Sequence, residues 1–231
     1  MTNSSLPDSI ELFLFKVCPF AQRVQISLLQ SQLPYQVVVL DPANMPDDFS
    51  SISPLGNVPV LRINNSETLF ESAVINDYIA QISPISMEPL DELQRAQMRA
   101  WSEYSGSCMG ALMQVQQAAD KDSFEQANKA LIDKFQILSE QLTTDGPFFY
   151  GQQFTTIDST YAPLFFRMKT LSELFEEFSL DGLPEKIEHW MTSLLDSEPL
   201  KKSIMGDFPT IYRRFIANQA GGKYVDSQLV S

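Results

Sequence analysis

Thiol chemistry in this chain can come from Cys18 or Cys108, its only two cysteines. Cys18 follows a short apolar run at 10–15 and precedes Pro19 and a stretch with apolar residues at Phe20, Val24 and Leu28. That spacing predicts a helix, so Cys18 falls where a first strand hands over to a first helix. The first N–H groups of a helix lack intrahelical partners, and the macrodipole is positive there. A thiol so placed is stabilised as the thiolate, its nucleophilic form. The other reading is a small buried apolar residue, and position alone weighs the two about evenly. Pro19 suits the first helical turn, where its missing N–H costs nothing. A dithiol oxidoreductase keeps a resolving cysteine three residues on, where this chain has Ala21. A reactive Cys18 therefore needs an external thiol to finish its cycle. Cys108 reads as a buried structural cysteine. The single histidine, His189, beside Trp190, excludes His-rich metal sites and most His-based triads. It reads as structural, and no metal is expected.

The elements that must position Cys18 follow from patterning. A second strand is expected at 35–40, rich in β-branched residues. A polar loop with Pro42 and Pro46, holding at most one helical turn, fills 41–53. Short strands at 58–61 and 68–70 flank the turn signal Asn64-Asn65. Ser72 is expected to cap a helix running to Ile79. The order is β-α-β-loop-β-β-α. Pro84 and Pro89 mark 82–90 as a linker, after which strand signals stop. Helices are expected at 91–119, 123–142, 155–171, 183–195 and 208–218. Thr155 and Asp158 form a capping box at the third of these, and a loose tail follows at 221–231. With 231 residues, the chain thus divides into an α/β domain (1–81), a linker (82–90) and an all-α domain (91–231).

Composition excludes several classes. Sixteen basic residues against 29 acidic ones leave a net charge of −13, which argues against nucleic acid and anionic membrane surfaces as partners. The start has no signal-peptide pattern, and no apolar run reaches the ~18–20 residues of a membrane span. A reducing, cytoplasmic setting is expected, where a free cysteine stays a thiol.

Three segments, Val17-Cys-Pro-Phe-Ala-Gln-Arg23, Val58-Pro-Val-Leu61 and Glu71-Ser-Ala73, together resemble the cytosolic glutathione transferases, and among them the cysteine-dependent, omega-like group. The resemblance covers nearly the whole chain. It implies a thioredoxin-like N-terminal domain, an all-α C-terminal domain and a homodimer. It makes Cys18 the nucleophile that forms a mixed disulfide with glutathione, and Phe20 a wall beside the thiol. It makes Pro59 a cis-proline, leaving the Val58 backbone to pair with the glutathione cysteinyl unit. Glu71 would take the γ-glutamyl ammonium, and Ser72 with its helix N-terminus the carboxylate. On their own, these residues also read as an edge-strand proline, a solvated charge and an N-cap. A second-substrate pocket is expected between the domains. Trp101, Tyr104 and Cys108 share a helix face and are candidates, with Phe165, Phe166 and Tyr212; such a stripe also reads as core.

One departure stands out. The lysine that the omega-like group aims at the glycyl carboxylate falls on Met45, and no lysine lies between Arg23 and Arg62. The glycyl end must find another donor, a backbone N–H or Asn57, or be held weakly. The N-terminal domain sets Lys16, Arg23 and Arg62 against eight carboxylates, so helix N-termini and backbone amides must hold an anionic ligand. The implied activity is a glutathione-dependent thiol transferase or reductase acting on a small disulfide or electrophilic substrate. The alternative class is a non-enzymatic regulator of the stringent-starvation type, which contacts RNA polymerase.

Overall fold

A computed structural model describes residues 6–89, 91–143, 145–218 and 224–225. Residue 90 of the expected linker, and 221–223 and 226–231 of the expected tail, lie outside the described residues. The first part of the chain contains β1 (Ile10–Leu14), α1 (Pro19–Ser31), β2 (Gln36–Val39), α2 (Phe49–Ile52), β3 (Val60–Ile63), β4 (Glu67–Phe70) and α3 (Ser72–Ile82). The four strands lie in the order β2-β1-β3-β4, with β1 parallel to β2 and antiparallel to β3. Side chains alternate between the faces of a strand. Leu12, Leu14, Leu61 and Ile63 therefore pack beneath α1 and α3, while Phe13 and Val60 meet Leu40 and Phe49 of the α2 side. Apolar residues on both faces explain why β1 reads as a continuous run. Asn64 and Asn65 turn the chain into β4 with φ of 51° and 60°, left-handed values that asparagine tolerates better than most residues.

The helical part comprises α4 (Glu92–Gln116), α5 (Lys121–Ser139), α6 (Thr156–Leu174), α7 (Glu185–Asp196), α8 (Glu198–Ser203) and α9 (Phe208–Ala217). Element bounds shift by up to three residues, the strand expected at 58–61 forming as β3 at 60–63, and two details differ in kind. Ser72 is the first residue of α3, and Glu71 takes the cap position. The six-residue α8 was not expected, because it is too short to show a helical period. The capping box at α6 forms as expected. Its Asp158 is fully buried and accepts from the backbone N–H groups of Phe149 (3.0 Å) and Thr155 (2.8 Å), the Thr155 hydroxyl (2.9 Å) and the Trp190 indole (2.7 Å). Burial pushes its carboxyl up to about 6 against the pull of these donors.

A buried polar seam joins the two parts. Ser27 of α1 donates to Ser159 of α6 at 2.7 Å, and Gln22 donates to Ser203 of α8 at 3.0 Å. The guanidinium of Arg167, on α6, is buried without a carboxylate. It donates to the Gln22 side chain (2.7 Å), the Pro163 carbonyl (2.8 Å) and the Val17 carbonyl (2.7 Å), and lies over the Phe208 ring at 5.2 Å. Val17 immediately precedes Cys18, so a side chain of the helical part fixes the backbone that leads into the thiol. Arg167→Met is expected to cost about 3 kcal/mol, because it strands buried acceptors that now receive charge-assisted hydrogen bonds. Urea unfolding measures this; a loss below ~0.5 kcal/mol would show that the seam relaxes without the cation.

Candidate active site

Cys18 occupies the N-cap position of α1 with extended backbone (φ −73°, ψ 116°), its carbonyl accepting from Gln22 N–H at 3.0 Å. The antiparallel register that pairs Phe13 with Val60 brings the start of β3 beside this loop. The Val58–Pro59 peptide there is cis, and the Cys18 thiol points to the Val58 carbonyl at 3.9 Å. A cavity of about 520 Å³ opens at this sheet edge. Cys18, Phe20, Val58, Pro59, Glu71 and Ser72 all line it, so the six residues singled out in the N-terminal domain converge in space. The α2–β3 loop adds Ser53, Leu55 and Asn57, and α4 closes the far wall with Ser102, Glu103, Ser105 and Gly106.

The thiol is subject to opposed forces. Burial pushes its pKa up, while the backbone N–H groups of Ala21 and Phe20 and the guanidinium groups of Arg167 and Arg23 pull it down. In the ligand-free protein burial wins. Position alone counts the helix N-terminus and not the desolvation that burial imposes. The thiol is the form at rest, donating toward Val58.

Arg23 is the site residue that sequence reasoning passed over. It lies in the quoted motif, yet nothing in its spacing marks it as turned inward. Its guanidinium donates to the Ser72 hydroxyl and sits over the Phe20 ring at 5.3 Å. Its Nε has no hydrogen-bond partner. Burial lowers its pKa to about 10, partly offset by Glu103, Cys18 and Glu71, so it remains a cation at neutral pH. Glu71 holds φ at 67°, where a side chain is strained, directly before the start of α3. The turn thus presents a carboxylate, a hydroxyl, helix N–H groups and a guanidinium together. That set complements an α-amino acid zwitterion, with Glu71 for the ammonium and Ser72 with Arg23 for the carboxylate.

The expected aromatic pocket lies elsewhere. Trp101 and Tyr104 are half-buried against the helical core, Cys108, Phe165 and Tyr212 are buried within it, and none of them lines the cavity. Phe166 also packs on that core, 4.6 Å from the Phe208 ring. Tyr104 Oη donates to the Lys134 carbonyl of α5 at 3.5 Å. Cys108 is pushed up to about 11 by burial. On a helix, neighbouring residues point about 100° apart, so turning the aromatic face of α4 to α5 and α6 turns Ser102 and Gly106 to the cavity. A helical stripe of small residues was the signal available for that wall. Met45 packs beside Phe13 and Phe49 and is not part of the cavity lining.

A thioredoxin-like sheet with a lone cysteine heading α1 and a helical second part make a glutathione-transferase type of fold. Residues 17–82 match the family model described as "Glutathione S-transferase, N-terminal domain". The chain is similar to rice "Probable glutathione S-transferase DHAR1, cytosolic", 28% identical over 80% of this chain and 83% of that protein. It is similar as well to pig "Glutathione S-transferase omega-1", 28% identical over 80% of this chain and 76% of that one. Glutathione transferase Omega 3C from Trametes versicolor shares the fold, with a TM-score of 0.77 and 21% identity over 85% of this chain and 89% of that one. Residues 17–82 thus match the glutathione transferase N-terminal domain, and the chain as a whole is similar to glutathione transferases of the DHAR and omega kinds.

Two reactivities follow. Iodoacetamide at neutral pH is expected to label Cys18 and leave Cys108 untouched until the protein unfolds. In the ligand-free protein the rate at Cys18 is expected to climb with pH past the ordinary thiol value of about 8.5, since burial has raised the pKa. Mass mapping and rate–pH profiles check both, and a plateau below about pH 8 would show that the helix N-terminus prevails.

Proposed function

We propose that the protein is a glutathione-dependent thiol transferase or reductase that works through one cysteine. The observation that carries this reading is a partly exposed Cys18 beside a zwitterion-binding turn, with no second thiol at hand: Ala21 stands at the resolving position and Cys108 is buried. The thiolate of Cys18 attacks the glutathione sulfur of a mixed disulfide. The Cys18–glutathione S–S bond forms, the substrate's S–S bond breaks, and the departing thiolate takes up a proton. The thiolate of a second glutathione then attacks that adduct, glutathione disulfide leaves, and the Cys18 thiolate is restored. No electrons beyond those of the thiols and disulfides are needed.

The Val58 backbone would pair with the cysteinyl unit of glutathione. If the cysteinyl N–H takes the Val58 carbonyl, the Cys18 thiol loses its acceptor, and the neutral form loses one source of its advantage. Glutathione serves as co-substrate. The second substrate is a small disulfide or electrophile meeting the α4 wall of Ser102, Glu103 and Gly106. A homodimer in the cytoplasm, divided into domains at 1–81 and 91–231 by a linker, completes the reading. Among the described residues no helix is long and apolar enough to cross a membrane, and no group of His, Cys, Asp or Glu could hold a metal. A purely regulatory role gives the cavity-lining thiol no task.

With the mixed disulfide of glutathione and 2-mercaptoethanol as substrate, Cys18→Ser is expected to reduce turnover to the uncatalysed rate while equilibrium dialysis still detects bound glutathione. Activity retained in that variant would remove Cys18 from the chemistry. An oxygen nucleophile at this place has a pKa far too high to serve.

A further inference from the structure

The charges of the cavity are distributed unevenly along it. The rim formed by the β4–α3 turn holds Glu71 and Ser72, to which Arg23 of α1 donates, and Glu103 lies close enough to Arg23 to raise its pKa. The rim formed by the α2–β3 loop holds Ser53, Leu55 and Asn57, all neutral. These rims belong to opposite faces of the sheet, since α2 packs on Phe13 and Val60 while α1 and α3 cover Leu12 and Leu61. Among the described residues lining the cavity, Arg23 is the one cation.

Other cations near the sheet are committed elsewhere. Arg62 is bound to Glu11 at 2.7 Å and lies over the Phe13 ring, outside the lining. Arg167 spends its donors on Gln22, Pro163 and Val17. Lys16 is exposed and does not line the cavity. A γ-glutamyl peptide with its sulfur at Cys18 has a zwitterion at one end and, in glutathione, a lone carboxylate at the other. Only the Glu71–Ser72–Arg23 rim complements the zwitterion, which leaves the glycyl carboxylate over the neutral rim with no cation among the described residues to meet it.

We infer that this site recognises the γ-glutamylcysteinyl unit and is largely indifferent to the glycyl end, so that γ-glutamylcysteine and other γ-glutamylcysteinyl thiols serve as co-substrates alongside glutathione. The inference rests on the thiol-transfer reading above. The chemistry is unchanged: the thiolate of γ-glutamylcysteine attacks the glutathionylated Cys18, a mixed disulfide of γ-glutamylcysteine and glutathione leaves, and the Cys18 thiolate returns. The unpaired Nε of Arg23, beside the Ser72 hydroxyl, is the donor that favours anchoring at the γ-glutamyl end.

The wild-type protein tests this with glutathione, γ-glutamylcysteine and cysteinylglycine as reductants of one disulfide, each rate corrected for the uncatalysed reaction. The values of kcat/KM for the first two are expected to agree within about fivefold, the most that a solvent-exposed carboxylate without a fixed partner contributes. Cysteinylglycine, lacking the γ-glutamyl unit and its α-amino acid zwitterion, is expected to fall by about tenfold or more. A drop of about tenfold or more for γ-glutamylcysteine would overturn the inference by revealing a charged partner at the glycyl end. Intact-mass spectra after exposure to glutathione disulfide and to the disulfide of γ-glutamylcysteine separate the two levels. An adduct on Cys18 from the first alone refutes the inference and keeps the thiol-transfer reading, whereas no adduct from either refutes both.

Discussion

Much in this structure depends on a buried cation that has no anion beside it. Arg167 stands on α6, the most deeply buried helix, and is satisfied only by neutral oxygens, one of which is the Val17 carbonyl. Burying a charge costs several kcal/mol unless every donor is used, and here the donors run into both parts of the molecule. The same guanidinium is among the positive groups that lower the pKa of Cys18. One interaction therefore closes the domain seam, shapes the chain that leads into the thiol and supplies favourable potential where a thiolate must form.

The site sets desolvation against local positive potential. A helix N-terminus, two guanidinium groups and backbone amides draw toward the thiolate, while burial draws toward the thiol. In a chain with a net charge of −13 the long-range field also disfavours an anion. Reactivity must then depend on what enters the cavity. A peptide that takes over the Val58 carbonyl would remove the thiol's acceptor, coupling occupancy of the site to activation of the nucleophile.

The far wall shows how packing assigns the faces of a helix. The apolar side of α4 enters the core with Cys108, Leu112 and Val115, and Trp101 and Tyr104 go with it. Ser102, Ser105 and Gly106 are left for the cavity, together with Glu103. The wall facing the thiol is consequently small and polar.

The order of elements, the α/β-then-α layout, the α6 capping box and the residues at Cys18, Pro59, Glu71 and Ser72 were all legible in the sequence. They depend on short-range rules: strand and helix periods, caps, and motifs spaced along one segment. Three short segments carried the resemblance to glutathione transferases, which the match over residues 17–82 bears out. Tertiary structure alone decided which side of α4 faces the thiol, that Arg23 reaches Ser72, that Arg167 braces Val17, and that burial outweighs the helix dipole at Cys18. Each of these depends on how elements far apart in the chain orient and exclude water from one another, and periodicity within a segment carries no record of that.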